Sequence, residues 1–148
     1  MTQSSDRNVD AQGFDVDLMR TLGNGRVLEW DGARQRIAVG FEASPTFCHS
    51  SDGAVDVVQG GFVTAWIDNA MALCVGRASD GAYLPASLEV KVSFFRPTHP
   101  GDVRAEAWVV RMGRSVAFTE GRLLDAAGTT LATATSTIKL VPRAGARD

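Results

Sequence analysis

Val57–Gly76 reads VVQGGFVTAWIDNAMALCVG and is the most apolar stretch of the chain. Two glycines, Gly60 and Gly61, sit near its start, and one acid, Asp68, lies well inside it. The stretch reads as a helix from about Gly60 to Ser79, with Phe62, Val63, Ala65, Trp66, Ile67, Ala70, Met71, Leu73, Cys74 and Val75 as its apolar residues. That helix is apolar on nearly every side, so other elements must wrap it.

The segments that follow supply the wrapping. SLEVKVSFF, from Ser87, alternates strictly, with Leu88, Val90, Val92 and Phe94 on one face and Ser87, Glu89, Lys91 and Ser93 on the other. VRAEAWVVRM alternates next, with Val103, Ala105, Ala107 and Val109 together. GRS and DAAGT supply turns before VAFTEGRLL and LATATSTIKLV, so the four strands read as an antiparallel meander. Ahead of the helix, RVLEW and RIAVGFEA read as two strands joined at DGARQ, and SPTFCHSSDGAVD reads as a loop. Phe14, Leu18 and Leu22 stand at helical spacing and predict a short amphipathic helix. The expected class is α+β: a long central helix wrapped by a curved antiparallel sheet of five to six strands, with small residues Ala132 and Ala134 permitting close approach.

The whole chain sets bounds on this reading. Its 148 residues suit a single domain, large enough to bury roughly 68–70% of its unfolded surface. A net charge of −2 gives no reason to expect nucleic acid or an anionic membrane as partner. The N-terminus MTQSSDRNVD lacks the order of a signal peptide, and the apolar run, interrupted by Asp68 and Asn69, falls short of the ~20 residues of a membrane span. A cytoplasmic protein is expected, with about the first dozen residues disordered. Cys48 and Cys74 are too few for a disulfide framework, and His49 and His99 stand in no ligand-like spacing, so no metal is expected.

Three quoted segments, GGFVTAWIDNAM, SLEVKVSFFRPTHPGD and VVRMGRSVAFTEGRLLDAAGTTLATATSTIKL, together resemble hotdog-fold thioesterases of the PaaI/4-hydroxybenzoyl-CoA type. The resemblance runs roughly from Val57 to Leu140. It implies hydrolysis of an acyl-CoA thioester without metal or organic cofactor, at composite sites of a homodimer or a dimer of dimers. It assigns the helix carboxylate to Asp68 and the carbonyl-polarising backbone N–H to Gly60, and it matches a strand serine to Ser87. Two positions depart from the pattern: Gln59 stands where the family usually has His, and Gly53 where it often has Asn.

The residue types suit that chemistry. A helix start offers N–H groups without internal acceptors at the positive end of the dipole, and glycine lets a carbonyl oxygen come close. Gly60 and Gly61 equally suit a tight entry into a helix with no ligand. A carboxylate in partly apolar surroundings attacks a thioester or takes a proton from water; alternatively, Asp68 is a structural acid bonded to Thr64 or to a loop across an interface. Gln59 offers an amide donor but no proton transfer at neutral pH. Ser87 is a candidate for orienting Asp68 or water, although strict alternation puts it on the face of Glu89 and Lys91. Arg96, Arg111 and Arg114 are candidates for CoA phosphates or are solvated turn residues. Asn69 reads as a hydrogen-bonder beside the site, Trp66 as core, and Phe62, Trp66, Met71 and Leu84 as a lining for the acyl group. The competing function is a non-catalytic acyl-CoA or acyl-carrier binding protein, which Gln59 and Gly53 favour and Asp68 disfavours. A dehydratase would want a His in or near the helix, and there is none.

Overall fold

The computed structural model describes residues 8, 15–51 and 55–144. Gly53, Phe14 and, apart from Asn8, the segment expected to be disordered lie outside the described residues. The chain runs α1 (Val16–Thr21), β1 (Arg26–Asp31), β2 (Arg36–Ala43), β3 (Cys48–Ser51), β4 (Val55–Val58), α2 (Gly60–Ala78), β5 (Tyr83–Phe94), β6 (Gly101–Met112), β7 (Val116–Asp125) and β8 (Thr130–Pro142). No helix among the described residues is long and apolar enough to cross a membrane.

Six strands form one antiparallel sheet in the order β1-β2-β6-β7-β8-β5, curled around α2. This is the α+β hotdog architecture expected. The meander holds for β6, β7 and β8, but β5 pairs with the far side of β8 instead of with β6. The place beside β6 is taken by β2, whose register runs from Arg36↔Trp108 to Ala43↔Gly101. The segment expected to be a loop contains a short 3-10 turn, Pro45–Phe47, and the two-stranded hairpin β3–β4.

The core lies between α2 and the inner face of the sheet. Trp66, Ile67, Met71 and Val75 meet Phe41, Ala107, Leu123 and Ile138, all fully buried. Burying side chains such as Ile67 or Met71 stabilises by roughly 1.5–3 kcal/mol each. Phe41 stacks on Trp66 at a centroid distance of 5.9 Å, and the Trp66 indole N–H donates to the Leu22 carbonyl at 2.6 Å, tying α1 to α2. In α1 the buried residue is Met19, with Leu22 just beyond, whereas Leu18 is exposed. The helix α2 is not enclosed all round. Ala65, Asp68, Asn69, Ala72 and Leu73 form a half-buried stripe, because the sheet curls around only part of the helix circumference.

Candidate active site

Gln59 caps α2, and its Oε1 accepts from the Gly61 N–H at 2.7 Å. The side chain is therefore engaged in the first turn of the helix, and it also holds the Gly61 N–H. The Gly60 N–H has no acceptor among the described residues. The ring of Phe94 lies against this point: a Cβ at Gly60 would stand 3.2 Å from its ring tip. An open groove of about 360 Å³ begins here, lined by Val58, Gly60, Val63, Phe94, Phe95 and Arg96. The loop beneath it is tied down by Val58 N–H donating to the Thr98 carbonyl and by His99 Nδ1 against the Asp56 carbonyl. Phe94 and Phe95 at this groove were missed as site residues; paired aromatics at the end of a strand were their only signal.

Asp68 sits on the half-buried stripe two turns further along α2. Its Oδ1 accepts from the Ser87 hydroxyl at 2.6 Å, the short distance of a charge-assisted O–H···O⁻ bond. Thr64 is not its partner; that hydroxyl donates to the Gly60 carbonyl at 2.8 Å. Ser87 reaches Asp68 because a β-bulge between Ser87 and Glu89 breaks the alternation. Ser87 pairs with buried Ile138 while Val90, Val92 and Phe94 pair with Ser136, Ala134 and Ala132, so all four face the helix. The expectation that Ser87 shares a face with Glu89 is thus corrected by one extra residue in the strand.

Other candidates separate. Asn69 donates to the Ala65 carbonyl of its own helix at 3.0 Å. Arg96 is exposed beside Gly60, where the Phe95 and Arg96 N–H groups both meet the Leu131 carbonyl. Arg111 and Arg114 are exposed near the β6–β7 turn, where Leu140 N–H donates to Ser115. From Leu131 to Leu140 a strand advances on the order of 30 Å, so these arginines stand at opposite ends of the sheet. Gly60 and Asp68 are likewise roughly 12 Å apart along the axis of α2, and one chain does not bring them together. The expected acyl lining is corrected too. Trp66 and Met71 are fully buried core, Phe62 stacks on Phe47 at 4.3 Å, and Leu84 is exposed on β5.

Residues 56–132 match a family model described as the thioesterase superfamily. Among solved structures, a phenylacetic acid degradation-related protein of Ralstonia eutropha JMP134 is 28% identical, with a TM-score of 0.74 over 83% of this chain and 89% of its own. The PaaI protein of E. coli, from the phenylacetic acid degradation operon, is 14% identical with a TM-score of 0.73 over 84% of each chain, a likeness of fold. No curated protein matches the chain. The matched segment runs from β4 into β8 and so contains Gly60, Asp68 and Ser87. The chain belongs to the thioesterase superfamily.

Proposed function

We propose that the protein hydrolyses an acyl-CoA thioester at a composite site between two copies of the chain, using Asp68 of one and the Gly60 N–H of the other. The observation that carries this reading is the short Asp68–Ser87 hydrogen bond on the open stripe of an otherwise core helix. In the general-base route, Asp68 takes a proton from water, and the oxygen adds to the thioester carbonyl. The oxyanion is held by Gly60 N–H and collapses to the acid as the C–S bond breaks, and the thiolate leaves with the proton that Asp68 took from water. In the nucleophilic route the carboxylate adds to the carbonyl, the C–S bond breaks to release the thiolate and leave an anhydride on Asp68, and water cleaves that anhydride to free the acid and the carboxylate. Ser87 orients the carboxylate in both, and neither route uses a metal or organic cofactor. Phe94 and Phe95 give the groove at Gly60 an apolar wall suited to an acyl or aryl group. Arg96 of one copy and Arg111 or Arg114 of the other are the candidates for the CoA phosphates.

Thiol release from a panel of short, long and aromatic acyl-CoAs tests this. Asp68→Asn is expected to lower kcat by about 10²-fold or more, with the oligomer intact. Unchanged turnover in that variant would remove Asp68 from the chemistry. A second reading, a non-catalytic acyl-CoA binder, is favoured by Gln59, whose side-chain oxygen is engaged in capping the helix. Binding of CoA esters without thiol release by the unmodified protein would establish it.

A further inference from the structure

We propose that Glu89 and Ser136 are positioning residues for the thioesterase reaction, holding the bulge at Leu88 that turns Ser87 toward Asp68; this rests on the reading of Asp68 given above. An unbroken antiparallel ladder has period two and would leave Ser87 on the outer face with Glu89 and Lys91. Here Ser87 opposes Ile138 and Glu89 opposes Thr137, so Leu88 is the extra residue. Every residue of β5 before it changes face relative to those after it.

A bulge disrupts the ladder locally, so its backbone groups need partners. Two side chains supply them. The Thr137 N–H donates to Glu89 Oε1 at 3.0 Å, and the Glu89 carbonyl accepts from the Ser136 hydroxyl at 2.7 Å. Ser136 is buried at 3% exposure on the apolar inner face, where a hydroxyl needs a partner, and its own carbonyl accepts from Thr119 at 3.3 Å. Leu88 is 61% exposed, so core packing does not hold it in place. Glu89 and Ser136 bond to the strand backbone and not to Asp68, and so act through Ser87.

The test compares thioester turnover in wild type, Ser87→Ala, Glu89→Ala, Glu89→Gln, the double variant Ser87→Ala/Glu89→Ala, and Asp68→Asn. Glu89→Ala is expected to lower kcat about tenfold with KM little changed, the size of one hydrogen bond to a charged group. Glu89→Gln keeps the acceptor oxygen and restores turnover to within about twofold of wild type. In the Ser87→Ala background the Glu89 change should cost nothing further, because the contact it positions is already gone. Ser136→Ala should behave as Glu89→Ala does, and Thr137 amide exchange should speed up in Glu89→Ala and stay slow in Glu89→Gln. Equal effects of Glu89→Ala with and without Ser87, or no effect while Asp68→Asn is inactive, overturn the proposal and leave the function intact. Wild-type turnover in Asp68→Asn overturns the reading of Asp68 and the catalytic role of the bulge with it.

Discussion

At Glu106 one carboxylate meets three guanidinium groups. Arg36 and Arg122 reach Oε2 at 2.8 and 2.7 Å, and Arg104 reaches Oε1 at 3.0 Å, around a side chain only 11% exposed. Burial pushes its pKa up, but the hydrogen bonds from Arg36, Arg122 and Arg104 outweigh that and bring it down to about 2. Because the folded value lies below the unfolded one, the group stabilises the fold above about pH 4.5, and the contribution is lost as pH falls toward 2. At neutral pH this amounts to roughly 3 kcal/mol. Glu106→Gln should therefore lower unfolding free energy by ~2–4 kcal/mol at pH 7, with the gap to wild type closing between about pH 4.5 and 2 in urea titrations. A gap constant across that range would mean that the charge contributes nothing. Sequence did not reveal this cluster, since Arg36, Glu106 and Arg122 lie on three different strands and only strand register sets Glu106 opposite Arg122 and beside Arg36. Asp68 was legible because an acid inside an apolar helical run is a local contradiction. The Ser87 contact was not, because a single bulge reverses parity and leaves no mark in composition.

Between elements, β7 comes close to α2 at Gly121. A Cβ there would stand 2.7 Å from Ile67 Cγ2 and 3.0 Å from the Glu106 carbonyl oxygen. Ile67 is fully buried and the carbonyl belongs to the ladder, so neither yields easily. Gly121→Ala should destabilise by ~1–3 kcal/mol through overpacking, seen as a lower urea midpoint at unchanged slope. Gly76, inside α2 with nothing within 4 Å of its missing Cβ, is the control; Ala there should stabilise by about 0.5–1 kcal/mol. Equal behaviour of the two variants would show that the sheet does not press on the helix at Gly121. The helix was readable as one long apolar run and the four strands after it from a period of 2, signals that arise within each segment. Their neighbour order was not, because alternation reports a half-buried strand without naming its partners. Thus β5 looked like the next turn of a meander and in fact crosses to the far side of β8.

For the molecule as a whole, that crossing leaves a twelve-residue strand at the edge of the sheet with Leu88 61% exposed and, at its end, Phe94 and Phe95 55% and 62% exposed. A long edge strand that exposes apolar side chains and unpaired backbone groups invites a second strand. The stripe of α2 carrying Asp68 is open on the same molecule, and Gly60 stands too far along the helix to serve the Asp68 of its own chain. Antiparallel pairing of two β5 edges answers these conditions together. Such a pairing would cover those apolar side chains and would set the Gly60 and Arg96 end of one copy against the Arg111 and Arg114 end of the other. The unmodified protein is therefore expected to sediment as a dimer. Leu88→Lys should weaken self-association by about tenfold or more, the equivalent of at least 1.4 kcal/mol. Its bulge is held by Glu89 and Ser136 rather than by the leucine side chain, so the fold should persist. Turnover measured across protein concentration should then fall in step with the fraction of dimer. A Leu88→Lys monomer with full turnover would place the whole reaction within one chain and end the composite-site reading, because no copy would be left to supply the second half.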